Sequence, residues 1–376
     1  MSCEKVIIVG AGVAGLSLAI MLAERNIESL VLESRQAFDG PTSGVRISAE
    51  GVKVLRFMKV GSVGESTDRI DMRFGALSTS FSAPKPDGAA IVVTRLALHE
   101  KLVLLARSMG IRVLTGFNVV EMTESADGVE VTSDSNEKVT GTLLVGADGV
   151  GSTLRRILNP DQGSTKTYAG YLGVGLITKD EAKIEMTLYR YPGYQVGIAS
   201  CGKVSEAATK NSIFMWTHIR MHEGDAKLAT KASVEAALAR RAERWSPELR
   251  SKYDLFTKDA DAILTYGPIY NGKPPSRWYS DRMMLSGDAA HPYGPGGQGI
   301  SMALKDAKAL SDVIARGFTE VDKKEFQRSR AQEARTLGEA AEKRNSKSSA
   351  STQWGVLVEG IFMKAVRTFT RGTLKF

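Results

Sequence analysis

The sequence contains few cysteines and few histidines, and neither residue type is clustered. The two cysteines among its 376 residues, Cys3 and Cys201, form no Cys-x-x-Cys pair, which argues against a disulfide framework and favours a reducing compartment. No His-Glu-x-x-His or comparable ligand spacing is present, so we predict no metal site. The four histidines are His99, His218, His222 and His291.

Long apolar runs are also missing. The chain begins Met-Ser-Cys-Glu-Lys and enters the apolar segment Val6–Val9 at once, which leaves no room for the basic and apolar regions of a secretory leader. Near the other end, Glu359 and Lys364 interrupt an apolar stretch that is too short to span a bilayer. We therefore expect a cytoplasmic protein with no transmembrane segment.

The formal net charge of +8 is unevenly distributed along the chain. Residues 342–376 contain seven Lys or Arg and two Glu, so five of the eight excess positive charges lie in this tail. The sequence shows no basic stripe interleaved with aromatic residues and no recognisable nucleic-acid module, which argues against a nucleic-acid partner. The rest of the chain has nearly equal numbers of positive and negative charges, and its slight positive excess suits cofactor phosphates and a phenolate-like substrate.

The order of the predicted elements is that of an α/β protein. Apolar patterns predict a strand at 6–9, a helix at 14–25 and a second strand at 29–32, which together form a nucleotide-binding opening. Longer alternating segments, typical of a large sheet, follow much later. An apolar strand at 283–285 then leads into helical patterns at 301–315 and 323–343 and into a tail helix.

From this order we predict a discontinuous Rossmann-like dinucleotide-binding domain made of residues 1–165 and 277–340. A β-sheet domain of residues 166–276 is inserted into it, and part of 66–94 can join that sheet. Residues 341–376 form a C-terminal helix. The length of the chain fits two domains that share one interface.

The first motif, Gly10-Ala-Gly12-Val-Ala14-Gly15, lies between a predicted strand and a predicted helix. Gly10 permits the tight turn, Gly12 lets the backbone approach a pyrophosphate, and Gly15 allows close helix–strand packing. The phosphate would lie at the helix N-terminus, where Ala14 stands. Glu33 follows at the end of the second strand, where a carboxylate accepts ribose hydroxyls. These residues predict a site for NAD or FAD.

The second motif is an Asp-Gly turn. The apolar strand 143–145 runs into Ala147-Asp148-Gly149, and Ser152 and Arg155 follow shortly afterwards. An Ala-Asp-Gly sequence by itself is an ordinary strand-ending turn, so its meaning depends on the motifs beside it.

The third motif is Gly287-Asp288, which ends the strand 283–285 and precedes a turn rich in Pro and Gly. Within that turn, residues 294–299 formally match Gly-x-Gly-x-x-Gly. They do not directly follow a strand and they contain a proline, so we do not predict a second nucleotide loop.

In this order the three motifs resemble those of the single-component FAD-dependent aromatic monooxygenases. The run Asp306-Ala307-x-x-Leu-Ser-Asp312 and the lack of a long C-terminal domain resemble the short hydroxylases, including the tetracycline-inactivating, phenolic and polyketide hydroxylases. The resemblance implies one bound FAD, with NADPH or NADH as a transient co-substrate. It also implies that O2 adds at flavin C4a and that the hydroperoxide transfers one oxygen atom to an aromatic or polycyclic small molecule.

Other chemistries stay open on the same scaffold. They are ring epoxidation, oxidative rearrangement, and FAD-dependent reduction or oxidation. A halogenase is disfavoured because no Trp-x-Trp-x-Ile-Pro is present. A non-enzymatic, FAD-stabilised binding protein is the remaining alternative.

The resemblance also implies roles for individual residues around the flavin. Asp288 would accept hydrogen bonds from ribityl hydroxyls, and Asp148 would lie beside the flavin and help to bind the reduced nicotinamide. Ser301 stands where family members often carry Asn, which weakens the expected contact to the pyrimidine end of the flavin. The residues expected around the ring or the ribityl chain are Arg46, Arg95, Pro295, Gly297 and Gly299.

We expect few strictly catalytic side chains, because the cofactor carries the chemistry. The weak candidates are His218, Arg220 and Tyr191 in the predicted inserted sheet, where Tyr189, Tyr194 and Trp216 could also line a substrate pocket; packing of these aromatic residues is the alternative. The tail helix has apolar residues at helical spacing from Trp354 onwards. It could pack on the body, form a homodimer contact or lie on a membrane surface.

Overall fold

The computed structural model describes residues 5–38, 42–82, 89–162, 166–292, 297–347 and 352–370. A Rossmann-like parallel sheet, further β-sheets and C-terminal helices confirm the predicted α/β fold class. No helix within these ranges is long and apolar enough to cross a membrane.

The described strands and helices are numbered in chain order. The strands are β1 (Val6–Val9), β2 (Ser29–Glu33), β3 (Gly44–Ile47), β4 (Glu65–Thr67), β5 (Arg69–Phe74), β6 (Leu77–Ser82), β7 (Ala90–Thr94), β8 (Arg112–Thr115), β9 (Val119–Glu124), β10 (Val129–Ser133), β11 (Lys138–Gly141), β12 (Leu143–Gly146), β13 (Lys166–Lys179), β14 (Met186–Tyr191), β15 (Tyr194–Lys203), β16 (Asn211–Arg220), β17 (Ile263–Gly272) and β18 (Met283–Leu285). The helices are α1 (Val13–Ala23), α2 (Ala49–Phe57), α3 (Arg95–Ser108), α4 (Thr153–Leu158), α5 (Glu223–Lys227), α6 (Lys231–Ala242), α7 (Pro247–Lys258), α8 (Gly299–Ala315), α9 (Glu320–Lys347) and α10 (Gln353–Phe369).

Five strands form a parallel sheet in the order β18-β12-β1-β2-β8. Four of them are short apolar runs that are nearly fully buried, because α1, α3, α8 and the three-stranded sheet β11-β10-β9 pack around them in one core. The carboxyl ends of parallel strands meet at one edge of the sheet. This arrangement brings together the glycine loop after β1, Glu33 at the end of β2, Asp148 after β12 and Gly287 after β18.

A second, seven-stranded sheet has the order β17-β13-β16-β15-β14-β5-β6. All its neighbouring strands are antiparallel except β14 and β5, which are parallel with Met186 opposite Ile70. One face packs against α6 and α7 and is called the helix face. The other, called the β3 face, carries Phe214, whose ring fills the space beside Gly44 on β3.

The two sheets meet at two places. The amide of Gly272, at the end of β17, donates a hydrogen bond to the carbonyl oxygen of Pro292 at 2.6 Å, so the seven-stranded sheet reaches the chain just after the Gly287-Asp288 turn. A small sheet of order β3-β7-β4 lies between them, with β7 packed on β15. Strand β3, the Gly287-Asp288 turn and the β3 face therefore lie together at the junction of the two sheets.

The C-terminal helices differ from the predicted bounds. Helix α8 begins at Gly299, two residues before the predicted start, and α9 covers Glu320–Lys347 rather than 323–343. Helix α10 packs against β5, β6 and β14 at the edge of the seven-stranded sheet.

Candidate active site

The glycine loop after β1 forms a tight turn with free space above it. Gly10 has a φ of +104°, and its amide donates to the carbonyl oxygen of Leu32 at 2.7 Å. A Cβ on Gly15 would collide with the carbonyl oxygen of Gly10, so this glycine allows α1 to approach the turn. A Cβ on Gly12 would meet no atom within 4 Å. The open N-terminus of α1 can therefore receive an anionic group.

Glu33 is tied to the same loop. Its Oε2 accepts a hydrogen bond from the amide of Ala11 at 2.9 Å, and its Oε1 accepts from the amide of Arg35 at 3.0 Å and from the Arg35 guanidinium at 3.1 Å. Although burial alone would raise the pKa of Glu33, these donors and the charge of Arg35 hold it below its usual value. The carboxylate is therefore ionised at neutral pH and keeps lone pairs for further donors.

Sequence reasoning gave no role to His99, which supports the glycine loop from α3. Its Nε2 lies 2.6 Å from the carbonyl oxygen of Ala11, and its ring meets the edge of Phe38 at 5.2 Å between centroids. Because a carbonyl oxygen only accepts, Nε2 carries the proton. Burial lowers the pKa of His99, which favours the neutral ring. An isolated histidine in a helix carries no sequence signal for such a contact.

The Asp-Gly turn contacts the glycine loop directly. A Cβ on Gly10 would lie 3.2 Å from the Cα of Asp148. Asp148 Oδ2 accepts a hydrogen bond from the amide of Thr153 at 2.7 Å, whereas Oδ1 is buried and has no hydrogen-bond partner among the described residues. Burial raises the pKa of Asp148. The turn thus holds an acceptor that the described part of the chain leaves unused.

Arg155 links the second motif to the third. Its buried guanidinium donates through Nη1 to the carbonyl oxygens of Asp288, at 3.1 Å, and Ala289, at 2.9 Å. Nη2 donates to the carbonyl oxygen of Val150 in the Asp-Gly turn. One cation therefore satisfies three backbone acceptors from two loops.

The Gly287-Asp288 turn packs on the first helix. Gly287 has a φ of +63°, and a Cβ there would lie 2.8 Å from the Cβ of Ala14, so the glycine permits both the conformation and the close approach. The half-buried Asp288 is close to the start of α8, because a Cβ on Gly299 would lie 3.5 Å from Asp288 Oδ1. The three motifs thus form one continuous rim.

A buried charge cluster supports this turn from behind. Asp306 on α8 is fully buried, and its Oδ2 accepts from the amide of Gly287 at 2.9 Å and lies 2.6 Å from His291 Nε2. Asp306 Oδ1 accepts from Arg330 Nε on α9 at 2.6 Å. Burial alone would raise the pKa of Asp306, but His291 and Arg330 hold it low. The network fixes the turn to helices α8 and α9.

The two arginines expected near the flavin ring come from neighbouring segments. Arg46 lies on β3, opposite Val92 of β7. Arg95 is exposed at the start of α3, and its amide donates to the carbonyl oxygen of Ser43 at 2.8 Å. Arg46 is therefore part of β3, which faces Phe214, and Arg95 is bonded to the residue directly before that strand.

Ser301 is buried and its hydroxyl faces the chain rather than open space. Its Oγ accepts a hydrogen bond from the amide of Ser48 at 2.9 Å, which joins α8 to the start of α2. The expected ring contacts Gly297 and Gly299 are exposed, whereas Pro295 lies outside the described residues. Ser301 thus fixes Ser48, directly after β3, the strand that carries Arg46.

The three weak catalytic candidates are not brought together. His218 and Arg220 continue the series of every second residue on β16 that begins with Phe214 and Trp216, so all four lie on the β3 face. Arg220 donates there to the Tyr171 hydroxyl at 3.3 Å.

Tyr191 lies on the helix face, where its hydroxyl accepts from the amide of Ser246 at 3.0 Å. Tyr189 and Tyr194 share that face, and their hydroxyls bond to Glu248 and to the indole of Trp245. Of the aromatic residues considered for a pocket, Trp216 alone lies on the face that meets β3.

The chain matches the model of the family described as FAD binding domain over residues 4–345. It belongs to this family of flavoproteins. Its FAD-dependent urate hydroxylase relative from Klebsiella pneumoniae is 28% identical over 331 residues, covering 82% of this chain and 81% of the relative. The 3-amino-4-hydroxybenzoate 2-monooxygenase PtmB3 of Streptomyces platensis is 25% identical over 332 residues, covering 82% and 79%. The flavoprotein is therefore an FAD-dependent monooxygenase, and the resemblance inferred from its three motifs is confirmed.

A solved structure shares the fold of this flavoprotein. The Klebsiella pneumoniae HpxO structure in complex with FAD and uric acid superposes with a TM-score of 0.82 at 24% identity, covering 96% of this chain and 93% of that one. The described residues fit FAD on their own geometry. Cβ atoms on Gly12 and Gly149 would both meet open space, and the ionised Glu33 stands beside the first of these glycines.

Proposed function

We propose that the protein uses NADPH or NADH to insert one atom of O2 into an aromatic or polycyclic small molecule. The substrate gains a hydroxyl group, the second oxygen atom leaves as water, and the nicotinamide is oxidised to NAD(P)+. Bound FAD would supply the electron transfer from nicotinamide to O2 and the activated oxygen. Everything else in the reaction is positioning and exclusion of water by this chain.

The observation that supports an aromatic substrate is the stacked pair Phe214 and Trp216 on the β3 face. Their rings are 5.2 Å apart and inclined by only 15°. The Trp216 ring lies flat over Gly197, where any Cβ would collide with it, and Phe214 abuts Gly44. Phe214 is buried and supports Trp216, whose half-buried ring would hold a planar substrate ring by stacking.

The polar groups at the rim suit binding rather than proton transfer. Gly12 offers its backbone to the pyrophosphate, Glu33 offers acceptors to ribose hydroxyls, and Asp288 does the same for the ribityl chain. Asp148 contributes the buried acceptor on the other side of the rim. We propose that His218 and Arg220, polar side chains of the β3 face, orient the substrate.

We also propose a division of labour between the two sheets. The parallel-sheet unit, residues 1–165 and 277–340, would bind FAD, while 166–276 with β5 and β6 would form the substrate side. With one glycine loop, the nicotinamide would bind transiently at the surface. Because NAD(P)H is an intracellular reductant, we propose that the enzyme works in the cytoplasm.

The first experiment is a spectrum of the purified protein, followed by NADPH and NADH oxidation with and without candidate aromatic compounds. Uric acid and 3-amino-4-hydroxybenzoate, the compounds named for two relatives, belong in the first panel. The expected product gains one oxygen atom, and 18O2 labels it. Reduced-nicotinamide oxidation that yields only hydrogen peroxide with every compound would contradict the proposal and favour an oxidase or reductase.

A further inference from the structure

Helix α10 presents an apolar stripe to solvent. The stripe consists of Trp354, Val358, Ile361, Phe362 and Phe369, with exposed fractions of 73%, 49%, 57%, 65% and 90%. Their spacing places them on one side of the helix. Five of the thirteen large apolar side chains exposed in the described part of the chain lie on this helix, so the exposure is a property of α10 rather than of the whole surface.

The opposite side of α10 is fixed to the body, which determines the direction of the stripe. Val356 and Gly360 are buried, and a Cβ on Gly360 would lie 2.8 Å from the Cβ of Phe74 on β5. Glu359 forms an ion pair with the buried Arg190 on β14 at 3.1 Å. Because these contacts hold the inner side of the helix, the stripe faces outward in the folded protein.

The charges around the stripe are positive. Glu359 is the only acidic residue of α10 and is neutralised by Arg190, whereas Lys364 and Arg367 are exposed. The sequence on both sides of the helix adds further Lys and Arg, with seven such residues against two Glu in 342–376. An anionic surface is the complementary partner for this combination.

A second copy of the chain fits the stripe less well. A helix of 17 residues is about 25 Å long, so a stripe about 10 Å wide offers far less than the roughly 800 Å² per partner of a stable interface. Two copies meeting through the stripe would also bring two sets of cations together. A lipid surface has neither of these restrictions.

We propose that α10 docks the enzyme on anionic phospholipid membranes, with the stripe inserted at the boundary between headgroups and acyl chains. Trp354 would lie at headgroup depth, and Lys364 would reach the lipid phosphates beside the stripe. The proposal does not depend on the substrate or on the reaction.

The test is co-sedimentation of the full chain, loaded with FAD, with vesicles of phosphatidylcholine containing about 30% phosphatidylserine and with vesicles of phosphatidylcholine alone. We expect binding to the anionic vesicles that weakens in about 0.5 M salt. The double variant Ile361→Ser/Phe362→Ser should bind at least about tenfold more weakly. Leu228→Ser, which removes an equally exposed apolar side chain far from α10 in sequence, is the matched control and should bind like the parent.

Flavin content and melting temperature separate docking from misfolding, because the stripe side chains are exposed and their loss should change neither. Equal sedimentation of the parent and the stripe variant would overturn the proposal, as would parent protein that stays in the supernatant. A concentration-dependent dimer that the stripe variant abolishes, seen by sedimentation velocity without vesicles, would assign the stripe to a second copy instead.

Discussion

The guanidinium of Arg155 donates a hydrogen bond to the backbone carbonyl oxygen of Asp288, although 133 residues separate them. The same group also bonds to Ala289 and to Val150. A buried cation therefore holds the backbone of Asp288. Arg155 acts through Asp288 and is a positioning residue.

Replacing Arg155 with Met should reduce FAD retention at least about tenfold and destabilise the protein by about 1–3 kcal/mol, because three backbone carbonyl oxygens, of Val150, Asp288 and Ala289, lose their donor. Arg156→Met is the matched control, since Arg156 is exposed and bonds only to Thr153 Oγ1 among the described contacts. FAD titration and urea unfolding measure both effects. Similar FAD affinity in the two variants would show that the link does not position Asp288.

Two glycines of the first motif should respond differently to the same substitution. Gly12→Ala adds a methyl group in open space, so the stability of the FAD-free protein should not change. The variant should bind FAD at least about tenfold more weakly, because the methyl group occupies the approach to the pyrophosphate. Gly15→Ala collides with the turn and should cost about 1–3 kcal/mol of folding free energy. Thermal unfolding with and without FAD distinguishes them. Normal FAD binding by Gly12→Ala would remove this loop from the site.

The His291–Asp306 pair should make stability depend on pH. Although burial alone would lower the pKa of His291, the Asp306 carboxylate outweighs it and the pKa is raised. A raised folded-state pKa means that the contribution is complete below the unfolded value of about 6.5 and is lost as pH rises through the folded value.

Urea unfolding of the parent and of His291→Gln from about pH 5 to pH 9 measures this contribution. The difference in unfolding free energy between them should shrink as pH rises. A difference that stays constant over this range would mean that His291 is neutral in the folded protein. Arg330→Met should cost about 3–5 kcal/mol at neutral pH, because it removes the permanently charged partner of the buried Asp306 carboxylate and leaves only His291.

The assignment of the β3 face to substrate is tested by two aromatic substitutions on opposite faces. Trp216→Leu should raise KM several-fold and increase the fraction of reduced nicotinamide lost to hydrogen peroxide, while FAD content stays normal. Tyr191→Phe removes a hydroxyl that bonds to Ser246 on the helix face and should leave KM and coupling unchanged. The reverse pattern would place the substrate on the helix face.

The sequence identified the three motifs that meet at the edge of the parallel sheet, but it did not show which candidate residues share the β3 face, and the reason is physical. Short apolar strands ending in glycine or Asp-Gly are local patterns, and parallel pairing brings their ends to one edge. The face on which Tyr191 lies depends on which side of the sheet receives α6 and α7, and alternation alone does not contain that information. His99 and Arg330 reach their partners through contacts between distant segments.

Strand pairing across long distances in the chain was also invisible in the sequence. The β14–β5 pair joins residues more than a hundred positions apart, and the sequence indicated only that some of 66–94 could enter the sheet. The start of α8 differed by two residues because Gly299 is a poor helix former that tertiary packing accommodates.

Strand β18 completes the parallel sheet beside β12, yet it is synthesised only after all seven strands of the other sheet. Until then β12 has an unpaired outer edge, and Arg155 has no carbonyl oxygens of Asp288 and Ala289 to bind. We therefore expect the nascent chain to acquire affinity for FAD in a single late step. Flavin uptake would then mark completed folding. Added FAD would rescue slow-folding variants, because it binds only the folded protein.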